Sequence, residues 1–253
     1  MARIIAVCNQ KGGVGKTTTS INLGAYLAAL GKYVLLVDLD SQANATIGLG
    51  INMTEDVYNV YHTLINDQNP HSVLRKTSLF GFDVLPAAQS LAGATVELVS
   101  MEERETRLKK VLDSVRTNYD YIIIDSPPSL GLLTINALTA AERVLIPVQC
   151  EYFALEGLGQ LLKTVDLVRA NLNPDLQVLG VLLTMYDKRN QLARQVHNEV
   201  TTNFPGRVFE AVIPRAVSLA ESPSFGKSIL QFDPTSSAAR AYRQLAEEII
   251  HRT

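Results

Sequence analysis

Residues 8–20 read CNQKGGVGKTTTS, and this stretch decides the fold. It follows the apolar run Arg3–Val7 and leads into a helix-like segment, Thr17–Leu30, that stops at Gly31. Strand, glycine-rich turn and helix in that order form a phosphate-binding loop. Gly12, Gly13 and Gly15 permit positive φ, so backbone N–H groups can point at oxygens, and the positive end of the helix adds to the attraction. The pattern G-x-x-x-x-G-K-[ST] is met at Gly15-Lys16-Thr17, but Gln10 stands at its first glycine. Lys16 is then the residue for the β- and γ-phosphates and the Thr17 hydroxyl the Mg²⁺ ligand, with Thr18 at the α-phosphate. Val14 completes the loop.

Lys11 is unexplained by that motif, because Lys16 already supplies the loop cation. A second ammonium in the same empty pocket would repel the first. The residues leave two readings: a solvated surface cation, or a cation offered across an interface to the phosphates of a second copy, as an arginine finger is.

The rest of the chain fits an α/β sheet. The runs Arg3–Val7, Tyr33–Val37, Phe82–Leu85, Tyr121–Ile124, Val144–Val148, Val178–Thr184 and Val208–Ile213 have strand length and mostly lack strict alternation. That suits parallel strands covered on both faces. Helices are predicted at Glu102–Asn118, Gly157–Ala170, Leu192–Asn203 and Ala238–His251, with short helical pieces at Val57–Ile65 and Val73–Lys76. The order predicts a doubly wound, mostly parallel sheet flanked by helices, in a single domain over residues 1–253.

Bulk properties narrow the function classes. The 253 residues are 47% hydrophobic and 19% charged, with a formal net charge of −2. No global basic field is present, so any nucleic-acid binding must come from a local patch. Cys8 and Cys150 stand far apart and read as small buried residues rather than metal ligands. No signal-peptide layout or membrane-length apolar run occurs, which points to a cytoplasmic protein.

Two strand ends carry carboxylates. YVLLVD closes on Asp38, with Asp40 two residues on, and YIIID closes on Asp125. Ligands of open α/β sheets collect at such ends. Asp125 is placed to hold Mg²⁺ through water. Asp40, on a loop toward the γ-phosphate, is placed to orient the attacking water or join the metal shell. Asp38 can support the metal shell or the loop lysine, or cap the local turn.

Together KGGVGKTT (11–18), VDLDSQAN (37–44), IIIDSPPSL (122–130), PVQCEYFALEG (147–157) and VIPRAVSLAESPSFGK (212–227) resemble the deviant Walker A ATPases of the ParA/MinD superfamily, in the Soj-like chromosome-partitioning branch. The resemblance spans nearly the whole chain. It implies a P-loop NTPase fold of the deviant Walker A type, ATP and Mg²⁺ as cofactors, and an ATP-dependent homodimer. In that dimer Lys11 crosses to the partner's phosphates, Asp40 is the catalytic aspartate and Asp125 the second carboxylate. Thr184, Met185, Pro214, Arg215 and Ala216 match the base-contacting positions, and Glu151 the dimer face. It further implies that the dimer binds double-stranded DNA without sequence preference, in the nucleoid, and that a ParB-type activator triggers hydrolysis. Lys188, Arg189, Arg194, Arg215 and Lys227 are the candidate DNA cations. Ser41, Ala43, Ala216 and Ser218 depart from residues common at these positions in the family.

Two other classes share the loop. A MinD-like membrane switch would end in an amphipathic basic helix, whereas AYRQLAEEIIHRT (241–253) carries Glu247 and Glu248; no stable membrane binding is expected. An iron–sulfur reductase would need paired cysteines that Cys8 and Cys150 do not supply. Within the family, the cargo could also be a plasmid or a protein assembly such as carboxysomes.

Overall fold

The computed structural model describes residues 1–54, 57–151 and 154–252, and of residues 154–156 the backbone alone. Tyr152 and Phe153 of the PVQCEYFALEG stretch, and Thr253 at the end of the predicted domain, lie outside them. Among the described residues the strands are β1 (Arg3–Val7), β2 (Val34–Asp38), β3 (Arg75–Lys76), β4 (Phe82–Leu85), β5 (Tyr121–Asp125), β6 (Arg143–Gln149) and β7 (Gln177–Thr184). The helices are α1 (Lys16–Ala29), α2 (Asn44–Gly48), α3 (Val60–Ile65), α4 (Pro70–Val73), α5 (Leu91–Glu97), α6 (Arg107–Asp113), α7 (Leu132–Ala140), α8 (Ala154–Asn171), α9 (Gln191–Asn203), α10 (Val217–Glu221), α11 (Ile229–Phe232) and α12 (Ser237–Ile250).

The strands form one seven-stranded sheet in the order β3-β4-β2-β5-β1-β6-β7. Every pairing is parallel except the short β3–β4 edge. Side chains leave a strand on alternate faces, so a strand buried on both sides must be apolar throughout. Ile4 and Ala6 of β1 and Ile122 and Ile124 of β5 face a core built with α3 and α5–α9. Ile5, Val7 and Ile123 face the opposite core, built with α1, α2 and α10–α12. The mostly parallel, doubly wound sheet of the sequence analysis is the observed fold.

Three local expectations fail for identifiable reasons. Val208–Ile213 is not a continuous strand. It meets β7 at its two ends, through the bridge of Val181 with Val208 and the Ile213 amide donating to the Leu183 carbonyl (2.9 Å), while in between the Glu248 carboxylate accepts the amides of Glu210 (3.2 Å) and Ala211 (2.7 Å). The helix expected over Glu102–Asn118 shrinks to α6 and a short 3-10 turn. Asn136 accepts the Leu108 amide (3.0 Å) and donates to the Arg104 carbonyl (2.7 Å), and Glu103 turns left-handed at φ 52. Residues 73–76 end α4 and form β3 instead of a helix.

The order places β1 between β5 and β6, where the connections change direction. The carboxyl ends of β1, β2 and β5 therefore meet at one edge, with Val7, Asp38 and Asp125 in adjacent register. That edge is the topological switch point at which ligands of such folds bind.

Candidate nucleotide site

The loop after β1 is held at both ends. Asn9 donates to the Pro147 carbonyl on β6 (2.6 Å) and accepts the Lys11 amide (3.0 Å). Thr184, at the end of β7, donates to the Val14 carbonyl (2.9 Å). Gly13 (φ 73) and Gly15 (φ 86) adopt the left-handed conformation that turns amides toward one side; Gly12, also expected there, does not. Lys16 opens α1 and is buried. Its Nζ donates to the Lys11 carbonyl (3.1 Å), and burial holds the ammonium below the ordinary lysine range, opposed by Asp125, Cys8 and Asp40.

Asp125 lies beneath the first turn of α1 and is inaccessible to solvent. Thr17 Oγ1 donates to one carboxylate oxygen (2.8 Å) and Ser20 Oγ to the other (2.9 Å). Burial pushes the carboxyl above its usual range and the neighbouring Asp38 adds to this, while Thr17, Ser20 and Lys16 pull it down. A carboxylate so placed gains from a cation at Thr17. Among the described residues no cluster of three or more His, Cys, Asp or Glu is gathered for a metal. The donor set suits Mg²⁺, which takes few protein ligands and completes its shell with water and phosphate oxygens.

Of the roles expected of it, Asp38 takes that of a local cap. Its carboxylate accepts Thr46 N (2.9 Å), Thr46 Oγ1 (2.8 Å) and the Asp40 amide (3.1 Å), so it anchors α2 to β2. Burial raises its pKa above the usual carboxylate range. Asp40 caps the Gln42 amide (3.0 Å) and faces the cavity; it does not contact Thr17 or Asp125. Ala43, where the family commonly has glycine, is left-handed at φ 52.

Two adjoining cavities run along this edge. One of about 610 Å³ is lined by Gly12, Gly13, Gly15, Lys16, Thr17, Thr18, Asp40 and residues of α2. A second of about 300 Å³ is mostly apolar and is lined by Thr18, Thr184, Met185, Pro214, Arg215, Ala216, Leu219, Ala220 and Tyr242. The first has the donors and cation for phosphates, the second the walls for a flat base. Met185 borders both and is left-handed at φ 51, a backbone state that bulky side chains rarely hold without cause. Leu219, Ala220 and Tyr242 escaped the sequence reading, since nothing in their local pattern says that α10 and α12 converge on the loop. Val14 lines neither cavity and contributes its carbonyl to Thr184.

Lys11 lines neither cavity. Its Nζ pairs with Glu151 (3.4 Å), which also accepts from Gln149 (2.5 Å) and approaches Arg215 (3.8 Å). Both members of the Lys11–Glu151 pair are partly exposed.

The cation candidates divide. Lys188, Arg189 and Arg215 border one groove, and Arg194 on α9 donates to the Lys188 carbonyl (2.8 Å). Lys227 is exposed on the turn after Phe225 and does not line that groove. Arg189 is largely exposed but is bidentate with Asp187 (3.1 and 3.0 Å), whose carboxyl it holds down at about 2.

With this geometry in hand, comparison with known proteins is specific. A family profile described as an AAA domain matches residues 2–178. The chain is 57% identical over 249 residues to the sporulation initiation inhibitor protein Soj of Bacillus subtilis, covering 98% of each chain. It belongs to the ParA/MinD superfamily, in the Soj-like branch. To another member, the chromosome-partitioning ATPase Soj of Thermus thermophilus, it is 53% identical over 250 residues, covering 99% of this chain and 96% of that one. The superfamily fold is matched by a crystal structure titled cobyrinic acid a,c-diamide synthase from Mycobacterium smegmatis with bound ATP analogue and magnesium. That structure has TM-score 0.88 and 40% identity, covering 100% of this chain and 96% of that one.

Proposed function

We propose that this protein is a Mg²⁺-dependent ATPase of the partitioning type that dimerises on ATP, grips DNA as the dimer and lets go on hydrolysis. The observation that carries the reading is the position of Lys11: it stands outside its own phosphate cavity, beside it, on a surface that a second copy can meet. Names of relatives support the partitioning role, and the bound groups in the Mycobacterium smegmatis structure support ATP and Mg²⁺.

Each residue then has a task. The amides of the glycine loop and Lys16 bind the phosphates. Thr17 and Asp125 would hold Mg²⁺, which would supply charge compensation to the phosphates. Asp40 orients the attacking water from the rim of the cavity. Lys11 of the facing subunit adds a cation where negative charge grows in the transition state. Hydrolysis and pairing are thereby linked, and a ParB-type activator would accelerate the linked step.

DNA binding is assigned to the groove of Lys188, Arg189 and Arg215 with Arg194 beside it. Few cations per subunit suffice when pairing doubles them. DNA cargo, in the nucleoid of the cytoplasm, is favoured over a protein assembly by the 53% identity to the chromosome-partitioning ATPase Soj of Thermus thermophilus. The membrane-switch reading loses support from α12, whose Ala239, Tyr242, Leu245, Ala246 and Ile249 are buried against the sheet and α1.

Sedimentation velocity tests the reading. ATP with Mg²⁺ should convert monomer to dimer, and only that form should be retained on duplex DNA of arbitrary sequence. Equal retention with ADP, or a dimer indifferent to nucleotide, would contradict it.

A further inference from the structure

The ESPSFGK stretch has no task in the account above. The structure places it between the two halves of the site. The segment from Pro214 to Gly226 begins at the apolar cavity, which Pro214, Arg215, Ala216, Leu219 and Ala220 line. It ends at the phosphate cavity, which Pro223 and Ser224 line. Between them α10 runs without interruption into the 3-10 turn Ser222–Phe225, so the segment is a short stiff rod rather than a loop.

The far end of the rod meets the Asp40 segment backbone to backbone. The 3-10 turn closes on Gly226 (φ 62), whose amide donates to the Pro223 carbonyl (3.0 Å). The chain after Asp40 forms α2 and closes on Gly50 (φ 74), whose amide donates to the Ile47 carbonyl (2.9 Å). A Cβ on Gly226 would lie 2.6 Å from Gly50 Cα and 3.0 Å from Gly50 N, and a Cβ on Gly50 would lie 3.2 Å from the Gly226 carbonyl oxygen. A contact between two main chains has no rotamer with which to absorb a shift, and close-packed elements move as units. The Ala43 amide in turn donates to the Asp40 carbonyl (2.8 Å), so α2 and Asp40 are one piece.

We infer that the Ser222–Gly226 turn is a positioning element that transmits occupancy of the base cavity, through the Gly226–Gly50 contact, to the loop bearing Asp40. Hydrolysis is then tuned to a nucleoside triphosphate and not to a bare polyphosphate. Gly226 is a positioning residue, because it lines neither cavity. The inference rests on the proposed reading of Asp40 and of the two cavities.

The test uses Gly226→Ala in the full chain with two readouts. In hydrogen exchange, ADP with Mg²⁺ should slow the amides of Leu49, Gly50 and Ile51 in the unaltered protein by about tenfold more than pyrophosphate does. In Gly226→Ala the ADP and pyrophosphate effects should be equal. In kinetics, the added Cβ must part the two turns by about 1 Å, and misplacement of that order costs about 10- to 100-fold in rate. Any displacement of Asp40 is shared by both substrates, so the readout is their ratio: the kcat advantage of ATP over inorganic tripolyphosphate should fall by about 10- to 100-fold, with the KM for ATP changed little. Equal losses on both substrates, or base-dependent protection that survives the substitution, would overturn the inference. If Gly226→Ala does not fold, Glu221→Gly, at an exposed position of α10 that lines neither cavity, softens the rod without adding volume and must show the same two splits. Asp40→Ala separates the levels: normal ATP hydrolysis there removes the underlying reading and the inference with it. An inactive Asp40→Ala beside an unsplit Gly226→Ala overturns the inference alone.

Discussion

Thr17→Val keeps the shape of the side chain and removes one hydroxyl. That hydroxyl gives Asp125 one of its two side-chain donors, at 2.8 Å, the other being Ser20 at 2.9 Å. No water replaces it readily, since Asp125 is inaccessible. A hydrogen bond to an ionised group contributes about 1.5–3 kcal/mol and one to a neutral group about 0.5–1.5 kcal/mol. Thr17 itself is only half buried, so about 1–2 kcal/mol is expected at pH 8, which for a chain of this size corresponds to a Tm about 2–8 °C lower. The sign of the pH dependence follows from Asp125, whose folded pKa lies above the unfolded value of 3.8. The folded state therefore binds the extra proton, and the stability this confers is full below the unfolded pKa and lost as pH rises through the folded one. Thr17 pulls that pKa down, so its removal raises it further and extends the loss to higher pH. Calorimetry without nucleotide should show a larger Tm deficit at pH 8 than at pH 5, and Thr17→Ser should behave as the unaltered protein does. Titration calorimetry should show that Thr17→Val no longer gains nucleotide affinity from Mg²⁺. A deficit equal at both pH values, or an unchanged Mg²⁺ effect, would refute the reasoning.

Gly24→Ala in α1 would set a Cβ 2.4 Å from Phe82 Cζ, on a ring with no exposed surface; urea unfolding should report a loss of about 1–3 kcal/mol, with nucleotide affinity of the folded protein unchanged. Arg189→Ala should weaken DNA binding of the ATP form and lower the salt slope by about 1, while ATP turnover without DNA stays normal. Asp187→Asn should do the reverse in the same titration, because it releases Arg189 from its intramolecular partner.

The phosphate loop was legible because its chemistry requires contiguous residues: Gly13, Gly15, Lys16 and Thr17 act from one turn and one helix start. The central strands were legible because burial on both faces demands unbroken apolar runs. Failures came where tertiary partners overrode local pattern. Glu248 takes amides from the expected strand at Val208–Ile213, and Asn136 cuts the expected helix at Leu108. Helix α7, LLTINALTA, went unread because it is apolar nearly all round and shows no stripe. The base cavity was visible only through family resemblance at Thr184, Met185 and Pro214–Ala216. Its other walls, Leu219 and Tyr242, come from segments that only the folded chain brings together. The tie of Asp38 to Thr46 was equally hidden, since a strand-end carboxylate can serve a metal or a helix and the sequence does not distinguish them.

The claim on which the account turns is that Lys11 acts on a second molecule. Its pair with Glu151, at 3.4 Å and partly exposed, contributes at most about 1 kcal/mol to the monomer. Lys11→Ala should therefore fold and melt close to the unaltered protein. Sedimentation velocity with ATP and Mg²⁺, read beside ATP turnover on the same samples, gives the direct measurement. The account predicts a protein that stays monomeric with ATP and turns over about 10³-fold more slowly; a Lys11→Ala protein that still pairs on ATP and hydrolyses it at the normal rate would contradict it.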